Sequence, residues 1–193
     1  VGLARVRNLI VLAVTAAVLA TVVTVASPAA GALPVDDYAP YQPQTRCAPK
    51  AKPGTVVLGR WVERRFGGNL GGISRPCRVG GRSEHKEGRA FDWTVNARRP
   101  ADRRRVHRFL TTLFATDAAG NPDALARRMG VMYVIWDDRI WSAWNGFRAE
   151  PYRHSGCKRL RRCSPTLRHR DHVHVSITRQ AARGLNSWYV GRV

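Results

Sequence analysis

Acidic and imidazole side chains are both scarce in this chain. Its 193 residues carry 13 Asp and Glu against 33 Lys and Arg, with only six His, for a formal net charge of +20. That imbalance predicts attraction to polyanions and says nothing of the fold. No Cys-x-x-Cys pair or comparable ligand spacing occurs, so nothing supports the rival reading of the cysteines as a structural zinc site. There is no internal repeat either. No histidine follows His174. Asp171-His172 ahead of a β-prone run therefore cannot complete an HNH nuclease finger, which needs an Asn (Asn186 could serve) and a downstream metal-binding His. The nuclease reading is accordingly disfavoured, and nucleic acid is not the expected partner.

What is present divides the chain in three. Arg5 and Arg7 precede an apolar run from Leu9 to Ala26, and Ala30-Gly31-Ala32 forms a small-x-small cleavage pattern. Residues 1–32 read as a secretory signal peptide. The run is near the lower limit for spanning a bilayer, so an uncleaved anchor, the chain's one expected membrane contact, is the alternative. Residues 33–54 are proline-rich and read as an extended linker, and 55–193 as the functional domain. Cys47, Cys77, Cys157 and Cys163 all follow the leader, and an even count outside the cytoplasm implies two disulfides in a secreted or wall-bound protein. Of the three pairings, Cys47–Cys77 and Cys157–Cys163 are preferred, the latter closing a small loop. For an exported chain the polyanions are wall polymers, lipid head groups or extracellular nucleic acid.

Within the domain, residues 55–66 carry apolar side chains at helical spacing and stop at Gly67-Gly68. After Pro100, Val106, Phe109, Leu110, Leu113 and Phe114 share one helical face. Ala124–Met129 adds a short helical turn. Residues 131–136 (VMYVIW) are a β-prone run, and Asp137-Asp138-Arg139 turns it into a second apolar stretch, a hairpin without the usual glycine. Residues 147–168 are a polar surface loop. HVHVSI (172–177) alternates with period two, which puts His172 and His174 on one face. The fold class is α+β, an antiparallel sheet with helices packed on it.

The histidines are unevenly spread, and chemistry explains why. Zinc takes imidazole nitrogens and carboxylate oxygens, and a catalytic site uses three protein ligands and keeps one position open. His85 and Asp92, seven apart in SEHKEGRAFDW, can meet at one ion if the segment containing Gly88 folds back. His174 then supplies the third ligand from a strand, with His172 beside it as general base or oxyanion stabiliser. His107 and His154 read as surface residues, and Glu84 and Glu87 as exposed. Glycines 71, 72, 80 and 81 are read as letting the backbone approach an extended peptide. Trp93, Trp136 and Trp141 read as core, and Trp144 is open as a cleft wall.

Ser83-x-His85-x-x-Gly88-x-Ala90-x-Asp92 resembles the signature of D-alanyl-D-alanine carboxypeptidases and dipeptidases of the VanY and VanX type. His172-x-His174, with His169 before it, is similar to the H-x-H of the wider LAS group of zinc peptidoglycan peptidases, MepA-like endopeptidases included. The order of elements over roughly the last 140 residues resembles a family of exported actinobacterial domains with GRAFDW and DHVHVS blocks. The resemblance implies Zn2+ on His85, Asp92 and His174, a hedgehog/DD-peptidase-like fold with a small antiparallel sheet flanked by helices, and Ser83 as a hydrogen bonder to substrate or ligand. It implies hydrolysis of an amide bond in the peptidoglycan stem peptide or cross-link. One departure stands out: where those enzymes place a glutamate three residues before the last zinc histidine, this chain has Asp171. His172 is then preferred as base, with Asp171 as rival or partner. A catalytically silent module of the same fold, binding anionic wall polymers through its basic surface, is the alternative.

Overall fold

Proline and glycine set the limits of the first helices. In the computed structural model, which describes residues 1–2 and 34–193, α1 (Pro53–Phe66) and α2 (Pro100–Leu113) each begin at a proline. There the missing N–H belongs to the unpaired first turn of the helix in any case. α1 stops at Gly67, which lies at φ 76°. Leu58, Val62 and Phe66 of α1 and Val106, Phe109 and Leu113 of α2 are buried and face a common core. The leader expected at 1–32 lies outside the described residues, apart from its first two. Among the described residues, no helix is long and apolar enough to cross a membrane.

Leu33–Val193 forms one unit built on a single antiparallel sheet. Its strands are β1 (Asn69–Leu70), β2 (Ala90–Thr94), β3 (Val131–Trp136), β4 (Arg139–Ser142), β5 (Ala149–Pro151) and β6 (His172–Ile177), in the order β1-β2-β6-β3-β4-β5. Two short helices, α3 (Ala124–Arg128) and α4 (Arg179–Ala182), complete the α+β fold. β6 is central, paired to β2 on one side and β3 on the other. Its alternation is used on both faces: Val173, Val175 and Ile177 enter the apolar core, while His172, His174 and Ser176 occupy the other face. The β3–β4 turn dispenses with glycine because Asp137 and Asp138 adopt φ 45° and 62°. Aspartate tolerates that left-handed region better than most residues.

Residues 34–52 of the proline-rich segment form no helix or strand, its last two residues, Pro53 and Gly54, open α1, and the segment is held along the domain. Ala39 is in the core, Tyr38 donates to Asp123, Ser187 donates to Asp36, and the backbone N–H of Arg179 donates to Gln42. Cys47 bonds Cys77, tying this segment to the loop before the first motif, and Cys157 bonds Cys163. Trp93 and Trp136 are buried and Trp141 packs against the core, whereas Trp144 is 48% exposed.

Candidate metal centre

Three short stretches bring three donor atoms to one point. Asp92 on β2 lies directly opposite His174 on β6, so strand register alone makes them neighbours. His85 comes from a 3-10 turn, Glu84–Glu87, which ends at Gly88 in the left-handed region with φ 64°. A side chain at Gly88 would run into the Lys50 carbonyl, so glycine is needed for the chain to fold back here. Gly71 serves a related purpose: its N–H donates to the Asp92 carbonyl, and the space a side chain would need is taken by β2. Its role is thus close packing beside Asp92, which corrects the expectation that it makes room for a peptide.

The donor atoms form a nearly equilateral triangle. His85 Nε2 lies 3.2 Å from Asp92 Oδ1 and 3.1 Å from His174 Nδ1, and His174 Nδ1 lies 3.2 Å from Asp92 Oδ1. His85 Nδ1 contacts the Ile73 carbonyl at 2.9 Å. A carbonyl only accepts, so the His85 proton sits on Nδ1 and the Nε2 lone pair faces the centre. His174 Nε2 is engaged by Ser176 Oγ at 2.8 Å, which leaves its Nδ1 facing the same point. Hydrogen bonds that fix the outer nitrogen and aim the inner one are typical of metal-binding imidazoles. Ligands at 2.0–2.1 Å from a tetrahedral zinc stand about 3.3 Å apart, close to the separations here. The residues therefore fit a metal ion, and His85, Asp92 and His174 could hold one.

Electrostatics favour a cation at this point. Burial opposes ionisation of Asp92, but hydrogen bonds with His174 and His85 hold its carboxyl well below the ordinary carboxylate range. Burial pushes His174 down, against the pull of Asp92, which favours the neutral, ligating imidazole.

Around the triangle opens a cavity of about 230 Å³, lined in part by Arg75, Arg82, Ser83, Tyr152, His154 and Thr166. His172 reaches it too. Its Nε2 is 3.7 Å from Asp92 Oδ1, while its Nδ1 is 2.7 Å from Asp171 Oδ1. The other Asp171 oxygen accepts from Thr166 at 2.6 Å, so Asp171 is occupied in holding the His172 ring. Ser83 is buried at the rim, its backbone N–H donating to Gln44.

Several residues stand differently from their sequence reading. Glu84 and Glu87 are buried, not exposed. Glu84 accepts from Tyr133 at 2.6 Å, and Tyr133 stacks on His174 with ring centroids 5.6 Å apart. Burial and the Glu84 charge keep the Tyr133 hydroxyl well above its ordinary pKa. Glu87 is bound by Arg89 and Arg179. His154, expected on the surface, lines the cavity. His169 is buried at φ 50°, packed 4.7 Å from His172 and edge-on to Tyr152. Burial and the neighbouring His174 and His172 push its pKa down to about 2, so it stays neutral. Its Nδ1 has no partner among the described residues. Its place three residues before His172 was the only signal in the sequence. The exposed glycines 72, 80 and 81 have open space around them.

The family model for the C-terminal domain of VldE matches residues 47–159, more than half of the chain. His85 and Asp92 fall inside the matched part, and His172 and His174 lie beyond it. No curated protein and no solved structure matches this chain.

Proposed function

We propose that this chain, which belongs to the VldE C-terminal domain family, is an exported zinc-dependent peptidase that hydrolyses an amide bond of the peptidoglycan stem peptide or cross-link. The observation that carries the reading is the triangle of His85 Nε2, Asp92 Oδ1 and His174 Nδ1, with Asp92 and His174 lining a cavity of about 230 Å³. The resemblance of the first motif to D-alanyl-D-alanine peptidases supplies the substrate class. The two disulfides suit an extracellular domain.

When bound, zinc supplies Lewis-acid polarisation of a carbonyl and a water acidic enough to attack at neutral pH. The remaining work falls to the chain. His172 Nε2 accepts the proton of the attacking water and delivers it to the departing amine. Asp171 Oδ1, 2.7 Å from His172 Nδ1, fixes the ring and stabilises the imidazolium formed in between. This divides the work between two residues where the peptidases that the first motif resembles use one glutamate, and Asp171 acts as a positioning residue. Arg75 and Arg82 place positive charge at the cavity wall, suited to the carboxylates of a stem peptide.

Purified wall fragments, incubated with the mature zinc-loaded protein and followed by mass spectrometry, test this. The expected result is release of an amide-cleavage product that a chelator stops and added zinc restores. Cleavage that continues unchanged in His85→Ala would sink the reading. Wall binding without any cleavage by a zinc-loaded protein would favour the silent module.

A further inference from the structure

A second cavity, of about 200 Å³, lies between the N-terminal segment, the start of β2 and α4. We propose that it is a binding site for an oxyanion of the phosphate class. Five cationic side chains line it, those of Arg46, Lys52, Arg89, Arg179 and Arg183, and Glu87 is its one carboxylate. That carboxylate is fully engaged. Arg89 Nε donates to it at 2.6 Å, Arg179 at 3.2 Å, and the backbone N–H of Thr45 at 3.1 Å. Arg89 also donates to the carbonyls of Ile177 and Gln42, and Arg179 to that of Pro43. Both guanidinium groups are thus built into the protein, Arg89 being 1% exposed.

The side chains of Arg46, Lys52 and Arg183 are different. Among the described residues they have no acidic partner and no hydrogen-bond acceptor, yet all three line one concavity, with Arg46 and Arg183 exposed to solvent. Like charges gathered this way repel until an anion enters. Their backbones are fixed. Arg46 precedes the Cys47–Cys77 disulfide, the Lys52 N–H donates to the Gly88 carbonyl at 3.1 Å, and the Arg183 N–H donates to Gln180 at 3.0 Å. Three separate cationic heads suit a tetrahedral oxyanion, which accepts hydrogen bonds in several directions, better than a planar carboxylate. Free phosphate and a phosphodiester polymer share this chemistry. A ligand here would join the N-terminal segment to the body of the domain, and so would stabilise the fold by linkage. The site does not depend on the metal centre's chemistry.

The test is titration of the mature protein with inorganic phosphate and, separately, with short poly(glycerol phosphate), at constant ionic strength, read by calorimetry and by melting temperature. Saturable phosphate binding near one per chain is expected, with a melting temperature above that in matched chloride. The Arg46→Ser/Arg183→Ser double variant should bind at least about tenfold more weakly. Arg104→Ser/Arg108→Ser on the exposed face of α2 removes the same charge and should change nothing. Tighter binding of the polymer would mark a phosphodiester chain as the ligand, and equal or weaker binding would mark free phosphate. Non-saturable binding, equal losses in both double variants, or loss in His174→Ala would each overturn the proposal.

Discussion

Two carboxylates, Glu87 fully buried and Asp92 partly so, stand five residues apart in this chain, and their surroundings are opposite. Glu87 is met by donors: the guanidinium groups of Arg89 and Arg179 and the backbone N–H of Thr45. Although burial opposes it, those contacts lower its pKa to about 2. Asp92 is met by two imidazole nitrogens, one of which turns a lone pair inward because its proton is used on the Ile73 carbonyl. The first cluster carries its own cations and is complete within the protein. The second converges three donor atoms on a point that a cation would fill. Burial of a charged side chain therefore does not by itself mark a site, and the direction of the protons around it does.

That contrast can be broken at several places. The largest effect is expected from His85→Ala or Asp92→Ala, which should abolish metal binding and lower amide hydrolysis by at least about 1,000-fold, as metal content and product release would show. His172→Ala should keep the metal and lower the hydrolysis rate by about 100- to 1,000-fold. Asp171→Asn should cost less, about 10- to 100-fold, and move the pH profile because the ring is held differently.

The Glu87 cluster should answer in stability instead. Its folded pKa is depressed, so the stability it contributes is present above about pH 4.5 and is lost as pH falls toward about 2. Glu87→Gln should destabilise the protein at pH 7 by about 3 kcal/mol, leave metal content unchanged and flatten that acid limb in denaturant melts. The smallest effect is expected from Tyr133→Phe. Removing the donor to buried Glu84 should cost about 1–2 kcal/mol, with the metal retained.

How much of this the sequence disclosed follows from the range of each contact. The amphipathic stripe of α2 and the alternation of β6 are local patterns, so they could be read directly. The grouping of His85, Asp92 and His174 was legible because the motif spacing and the alternation each limited where those side chains could point. The burial of Glu84 and Glu87 was not legible. Their partners, Tyr133, Arg89 and Arg179, come from separate elements, and in a chain this basic an isolated glutamate reads as solvated. The two-residue β1 and three-residue β5 leave no periodicity to detect. The attachment of residues 34–52 depends on single contacts such as Asp36–Ser187, spread across the whole domain.

The most direct test is metal content of the disulfide-intact protein beside its His174→Ala variant, after loading with zinc and removal of the excess. About one zinc per chain in the parent and none in the variant is the predicted result. No zinc in the parent, or equal zinc in both, would contradict the claim that Asp92 and its two imidazoles form a metal centre.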